Sequence, residues 1–95
     1  MSTTAVSLSV VVPVHRVQGY LRQCLESVLT SGSPDLEVIA VAEPASHGSR
    51  LILDEYAERD ARLRVRYDDG VARDVGLDLA TGEYVWVLDA DDYAA

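Results

Sequence analysis

The sequence predicts an α/β fold with a Rossmann-like, mostly parallel sheet, and three observations carry that expectation. Valine-rich apolar runs alternate with segments of helical periodicity in the order β-α-β-α-β-α-β. The connections between them are short, as successive βαβ units require. The last apolar run ends in a cluster of carboxylates, at the place where open α/β sheets bind ligands, outside the carboxyl ends of the strands.

Each element has its own justification. Met1–Ala5 is a small, polar lead-in. Leu8–Val14 is a valine-rich first strand, and Pro13 is tolerated near its end, where a missing N–H is harmless. Val17–Leu29 is the clearest helix, with Leu21, Cys24, Leu25, Val28 and Leu29 on one face and Arg22, Gln23 and Glu26 off it. Ser31-Gly32-Ser33-Pro34 stops it with a glycine for the cap and a proline that cannot continue. Leu36–Ala42 is the second strand, and Glu43–Gly48 is a loop of small and polar residues. A helix over Ser49–Arg59 is expected to bury Leu51, Ile52, Leu53 and Tyr56 in part. Leu63, Val65 and Tyr67 alternate with Arg64 and Arg66, the pattern of a half-exposed edge strand. Asp68-Asp69-Gly70 is a turn, and a third helix runs over Val71–Ala80 to the stop at Thr81-Gly82. Tyr84–Leu88 is the fourth strand; with no polar residue among Val85, Trp86, Val87 and Leu88, it is expected to be buried on both faces, with Trp86 in the core.

Composition removes several function classes. Ninety-five residues make one domain at most, 1–95, and bury enough surface for a modest core. There are 16 acidic residues against 8 basic ones, a net charge of −8, and every basic residue is Arg. That balance opposes binding to a nucleic-acid backbone, which needs a basic footprint, and opposes a polybasic membrane contact. The single cysteine, Cys24, allows no internal disulfide and reads as a small core residue. Val10–Val14 is too short for a signal-peptide core or a membrane span, so there is no transmembrane segment and a cytoplasmic location is expected. No repeat, low-complexity tract or linker is present, and the chain stops three residues after the acidic cluster, so its C-terminal edge reads as cut. Exposed apolar surface at such an edge predicts poor solubility or self-association.

The carboxylates Asp89, Asp91 and Asp92 follow the last strand directly. Two like charges about 4 Å apart repel by roughly 4 kcal/mol at an effective dielectric near 20. A hard divalent cation relieves that repulsion, and Mg²⁺-type sites take one or two carboxylates plus substrate phosphates. Taken alone, the same residues also read as a solvated acidic turn. His47 reads as an exposed loop histidine, and Gly48-Ser49 as a helix start.

Four motifs in order resemble the nucleotide-sugar-binding, N-terminal half of a family 2 glycosyltransferase of GT-A fold. They are Leu8-Ser9-Val10-Val11-Val12-Pro13-Val14, the helix Tyr20–Leu29, Ala72-Arg73-Asp74-Val75-Gly76-Leu77, and Thr81-Gly82-Glu83-Tyr84 running through Leu88-Asp89-Ala90-Asp91-Asp92-Tyr93. Together they cover about residues 7–93 and agree with one another in order and element type. The resemblance implies that Asp89 and Asp91 form an Asp-x-Asp pair placing Mg²⁺ or Mn²⁺ on the diphosphate of a nucleotide-sugar, foremost a UDP-sugar. Asp92 is implied as a third carboxylate near metal or donor. The backbone at Pro13, Val14 and His15 is implied to line the nucleoside pocket, with Glu43 and Arg73 as further donor contacts. The implied reaction is inverting transfer to a hydroxyl acceptor, in pathways that build cell-surface polysaccharides or wall polymers. The acceptor-binding part and its catalytic base are not among these residues, so the 95-residue chain alone is expected to be inactive.

The sequence departs from the family pattern at defined places. Ala42-Glu43-Pro44-Ala45-Ser46-His47-Gly48-Ser49 stands where Asp-Asp-Gly-Ser-Thr-Asp-Gly-Ser is usual, Arg16 replaces an Asn, and Asp74 replaces another. These changes leave a second reading open, a non-catalytic module that keeps the fold as a binding or docking surface. A receiver-type signalling domain also gathers carboxylates at strand ends. It wants acidic residues after the first strand and a Lys near the end, and Pro13-Val14-His15 and the absence of Lys oppose it.

Overall fold

A computed structural model describes residues 8–14, 18–30, 35–44 and 47–88. Strands β1 (Leu8–Val14), β2 (Leu36–Ala42), β3 (Leu63–Tyr67) and β4 (Tyr84–Val87) alternate with helices α1 (Gln18–Leu29), α2 (His47–Arg59) and α3 (Ala72–Leu79). The four strands form one sheet in the order β3-β2-β1-β4, and every pairing is parallel. This is the expected α/β architecture, with element boundaries within two residues of those read from the sequence.

The strand order dictates where the helices go. From β1 the chain steps to β2 and then β3 in one direction, and right-handed crossovers put α1 and α2 on one face. It then returns past β1 to add β4 on the far side, so α3 crosses the opposite face. On the first face Val10, Val12, Val14, Val38, Ala40 and Ala42 pack beneath Leu21, Cys24 and Leu25 of α1 and Leu53 and Tyr56 of α2. Cys24 is a buried core residue, as its helical position suggests. Arg22 of α1 also reaches across to Glu55 of α2 with two hydrogen bonds, 2.9 and 3.1 Å.

On the second face the approach is closer. Gly76 of α3 is buried against Val11, and a Cβ there would lie 2.2 Å from Val11 Cγ1. The missing side chain is what lets α3 rest on β1.

Two expectations are corrected. β4 is not buried on both faces: Tyr84 is 71% exposed, Val85 43% and Trp86 53%, so Trp86 is not a core residue among the described residues. Among the described residues β4 is the outermost strand, paired to β1 alone, and its side chains are left largely exposed. Leu51 is 75% exposed, because α2 turns Leu53 and Tyr56 toward the core instead. β3, read as an edge strand from its alternation, is one: Leu63 is buried while Arg64 and Arg66 are exposed.

Gly76→Ala should lower stability by about 1–3 kcal/mol through overpacking against the fully buried Val11. The same change would otherwise add up to about 1 kcal/mol of helix propensity. Urea unfolding gives the sign, and a more stable variant would show that α3 can lift from β1 without cost.

Candidate functional site

The reversal of strand order at β1 makes a topological switch point between β1 and β4, the position at which open α/β sheets leave a ligand crevice. The β1–β4 ladder closes with Val11↔Val87 and with the Leu88 amide donating to the Val11 carbonyl at 2.8 Å. Alternate residues of a strand direct their backbone groups to the same side, so Pro13 faces the β4 side, past the last described pair. Its missing N–H therefore leaves no gap in the ladder. β1 continues to Val14, three residues beyond the last described β1–β4 pair.

The expected site residues distribute around the carboxyl pole of the sheet as follows. Pro13 and Val14 end β1 and are buried. The Val14 side chain belongs to the core, so only its main chain is available to a ligand. Glu43 leaves β2 next to β1 and is exposed. Arg73 is the second residue of α3, exposed, on the face opposite α1 and α2. His15, Asp89, Asp91 and Asp92 lie outside the described residues. Among the described residues no group of three or more His, Cys, Asp or Glu is placed to hold a metal ion. His47 is the first residue of α2.

The loop that carries Glu43 is braced from the side. Arg50 Nη2 donates to the Pro44 carbonyl at 3.1 Å, and its guanidinium lies over the Tyr67 ring, 4.3 Å from the centroid. The Asp68 amide donates to the Ala42 carbonyl at 2.9 Å, extending the β2–β3 ladder to the start of that loop. Burial, and then the neighbouring Asp54 carboxylate, push the Tyr67 hydroxyl above its ordinary range.

The feature that sequence reasoning missed lies at the opposite pole. Glu37, the second residue of β2, is a buried carboxylate. Its Oε2 accepts from the Ser9 hydroxyl at 2.7 Å, the Thr81 amide at 3.0 Å and the Thr81 hydroxyl at 3.2 Å. Its Oε1 accepts from Arg64 Nη1 at 2.9 Å. Ser9 Oγ in turn accepts from the Gly82 amide at 2.9 Å. Burial alone would raise the Glu37 carboxyl, but the bonds from Ser9, Thr81 and Arg64 outweigh it and hold the group below its usual range. A glutamate inside an otherwise apolar strand, with a serine inside another, was the available signal.

The chain has clear relatives. A family model described as Glycosyl transferase family 2 matches residues 9–95. The uncharacterized glycosyltransferase EpsJ of Bacillus subtilis (strain 168) is 35% identical over 92 residues, covering 93% of this chain and 27% of the relative. Glycosyltransferase GlyA of Streptococcus pneumoniae serotype 4 (strain ATCC BAA-334 / TIGR4) is 33% identical over 90 residues, 90% of this chain and 13% of the relative. The putative teichuronic acid biosynthesis glycosyltransferase TuaG of Bacillus subtilis (strain 168) is 36% identical over 90 residues, 90% of this chain and 36% of the relative. The chain thus spans between 13% and 36% of the length of these relatives.

Glu37 has a pH signature. Its pKa is lowered by folding, so its contribution is complete above the unfolded carboxylate range and fades as pH falls through the lower folded value. Glu37→Gln should cost about 2 kcal/mol near neutral pH, and the gap to the unmodified protein should shrink as pH falls below about 4. Urea midpoints measured across that range check it, and a gap independent of pH would contradict it.

Proposed function

The chain belongs to glycosyl transferase family 2, and from that premise we propose that it forms the donor-binding region of an enzyme that transfers a sugar from a nucleotide-diphospho-sugar to a hydroxyl acceptor. The observation that carries this reading is the switch point: β1 and β4 run side by side and parallel, and in sequence β4 runs straight into Asp89-Ala90-Asp91-Asp92.

In this reading Asp89 and Asp91 hold Mg²⁺ or Mn²⁺, and Asp92 stands near the donor. A bound divalent cation supplies Lewis-acid stabilisation of the leaving diphosphate. The backbone at Pro13, Val14 and His15 lines the nucleoside pocket, Glu43 approaches from β2, and Arg73 approaches from α3. A UDP-sugar is the donor of choice for the first assays. Inversion at the sugar needs a base to take the acceptor proton, and we assign that base and the acceptor side to sequence other than these 95 residues. The much greater length of the relatives supports this division. The printed description of TuaG supports a cell-surface polymer as the product class. No helix among the described residues is long and apolar enough to cross a membrane. A cytoplasmic setting, at the inner face of a membrane, fits a donor of this class.

The exposed Tyr84, Val85 and Trp86 give β4 an apolar outer surface. In the 95-residue chain this surface is proposed to drive self-association, and in a longer enzyme to meet the acceptor-binding part.

Calorimetric titration of UDP with and without Mn²⁺ tests the donor reading. Mn²⁺ should tighten UDP binding, and Asp91→Ala should reduce that gain by more than about tenfold. A folded protein that binds no nucleoside diphosphate would remove the donor reading and favour a non-catalytic module of the same fold. Sedimentation of the unmodified chain should show concentration-dependent association that Trp86→Glu shifts toward monomer, and identical profiles would exclude the β4 surface as its cause.

A further inference from the structure

Every strand of the sheet is tied to one buried carboxylate at the amino pole. Glu37 belongs to β2, Ser9 to β1 and Arg64 to β3, and Thr81-Gly82 is the turn that leads into β4. The two oxygens divide the work. Oε1 faces Arg64, whose side chain is 50% exposed, whereas Oε2 takes all three bonds from Ser9 and Thr81. Ser9 is fully buried and passes the contact on, donating to Glu37 and accepting from Gly82. The fit around Gly82 is tight: a Cβ there would lie 2.8 Å from both the Ser9 amide nitrogen and Ser9 Oγ.

Stability alone is a weak reason for such an arrangement. A buried charge costs desolvation, and well-packed apolar residues often serve the fold as well or better. What an apolar set would lack is direction. Hydrogen bonds to the Thr81 and Gly82 amides fix where the turn sits relative to β1 and β2. That matters because, among the described residues, β4 has β1 as its only neighbour in the sheet. Its register, Leu8↔Tyr84 through Val11↔Val87, begins immediately after this turn.

We propose that Glu37 is a positioning residue for the donor site: acting through Thr81, Ser9 and Gly82, it sets the start and register of β4 and thereby the place at which the chain delivers Asp89 and Asp91. The inference rests on the reading of those carboxylates as the metal pair. It assigns Glu37 no contact with donor or metal, since it stands at the other end of the strands. Arg64 is excluded from the role, because it meets only the oxygen turned away from β4.

The test compares the gain in UDP affinity that Mn²⁺ produces, measured by calorimetry on the unmodified protein, Glu37→Met, Gly82→Ala and Arg64→Ala. Met keeps the length of Glu37 but removes the oxygen that accepts from Ser9 and Thr81. Gly82→Ala leaves the carboxylate intact and pushes the turn off Ser9 directly. Both variants should lower the Mn²⁺-dependent gain by about tenfold, the range seen when supports of a metal site are removed. Their affinity for UDP without metal should stay unchanged. Arg64→Ala should lower stability and leave the gain intact.

An unchanged gain in folded Glu37→Met overturns the proposal, and so does an equal fall in Arg64→Ala, which would mark general loosening. Should Glu37→Met fail to fold, Gly82→Ala decides in the same way. No Mn²⁺-dependent gain in the unmodified protein would instead overturn the donor reading, and this inference with it.

Discussion

A strand hydrogen-bonded on both sides has to satisfy its whole backbone through its neighbours, and β1 is placed in that position by β2 and β4. The requirement explains its composition. Val10, Val11, Val12 and Val14 pack on two faces at once, under α1 and α2 on one side and α3 on the other. It also explains the asymmetry of the sheet. The β1–β2 ladder runs the full length of both strands, whereas β4 covers only Leu8 to Val11. The last described rung of the β1–β4 ladder is at Val11, and Pro13 and Val14 of β1, Glu43 and the first turn of α3 lie at this same carboxyl pole.

Charge is arranged along the same axis. The acidic surplus is large, and much of the available Arg is used locally. Arg22 and Arg59 pair with Glu55, Arg62 with Asp60, Arg64 with Glu37 and Arg66 with Asp68. Several of these pairs are largely exposed and contribute little to stability. Their consequence is electrostatic: cations committed to α2, β3 and the amino pole do not offset carboxylates elsewhere. Asp89, Asp91 and Asp92 follow one another in sequence without an Arg among or beside them. In the proposed donor reading, a dication brought by a phosphorylated ligand answers that imbalance with a charge the chain itself does not supply.

How much of this could be read from the residues varies by element, for physical reasons. The edge position of β3 was legible because Arg64 and Arg66 must reach water. The edge position of β4 was not, because Tyr84-Val85-Trp86-Val87 is apolar throughout and the period-two signal is silent about which neighbours a strand has. Leu51 misled for a related reason: three successive apolar residues on a helix cannot share one face, and sequence alone does not say which one turns outward. Glu37 was hidden in a different way. A single charge in a strand reads as an exposed position, and its partners are separated from it by 27, 28 and 44 residues. The carboxylate motif is read from residue types and order alone, since Asp89, Asp91 and Asp92 lie outside the described residues.

The Glu43 loop shows why a departure from a family pattern need not mean a loosened site. A glycine turn reaches its geometry through backbone freedom, and that freedom is lost on ordering. Pro44 begins with φ already fixed. Its carbonyl is then held by Arg50, and Arg50 is held by its stacking on Tyr67, so the restraint passes from β3 through α2 to the residue beside Glu43. The Asp68 amide holds the Ala42 carbonyl on the other side of Glu43. Glu43 therefore projects from backbone anchored before and after it. A carboxylate offered from such a loop has less entropy to lose on meeting a ligand, and correspondingly less room to adjust to one that does not fit.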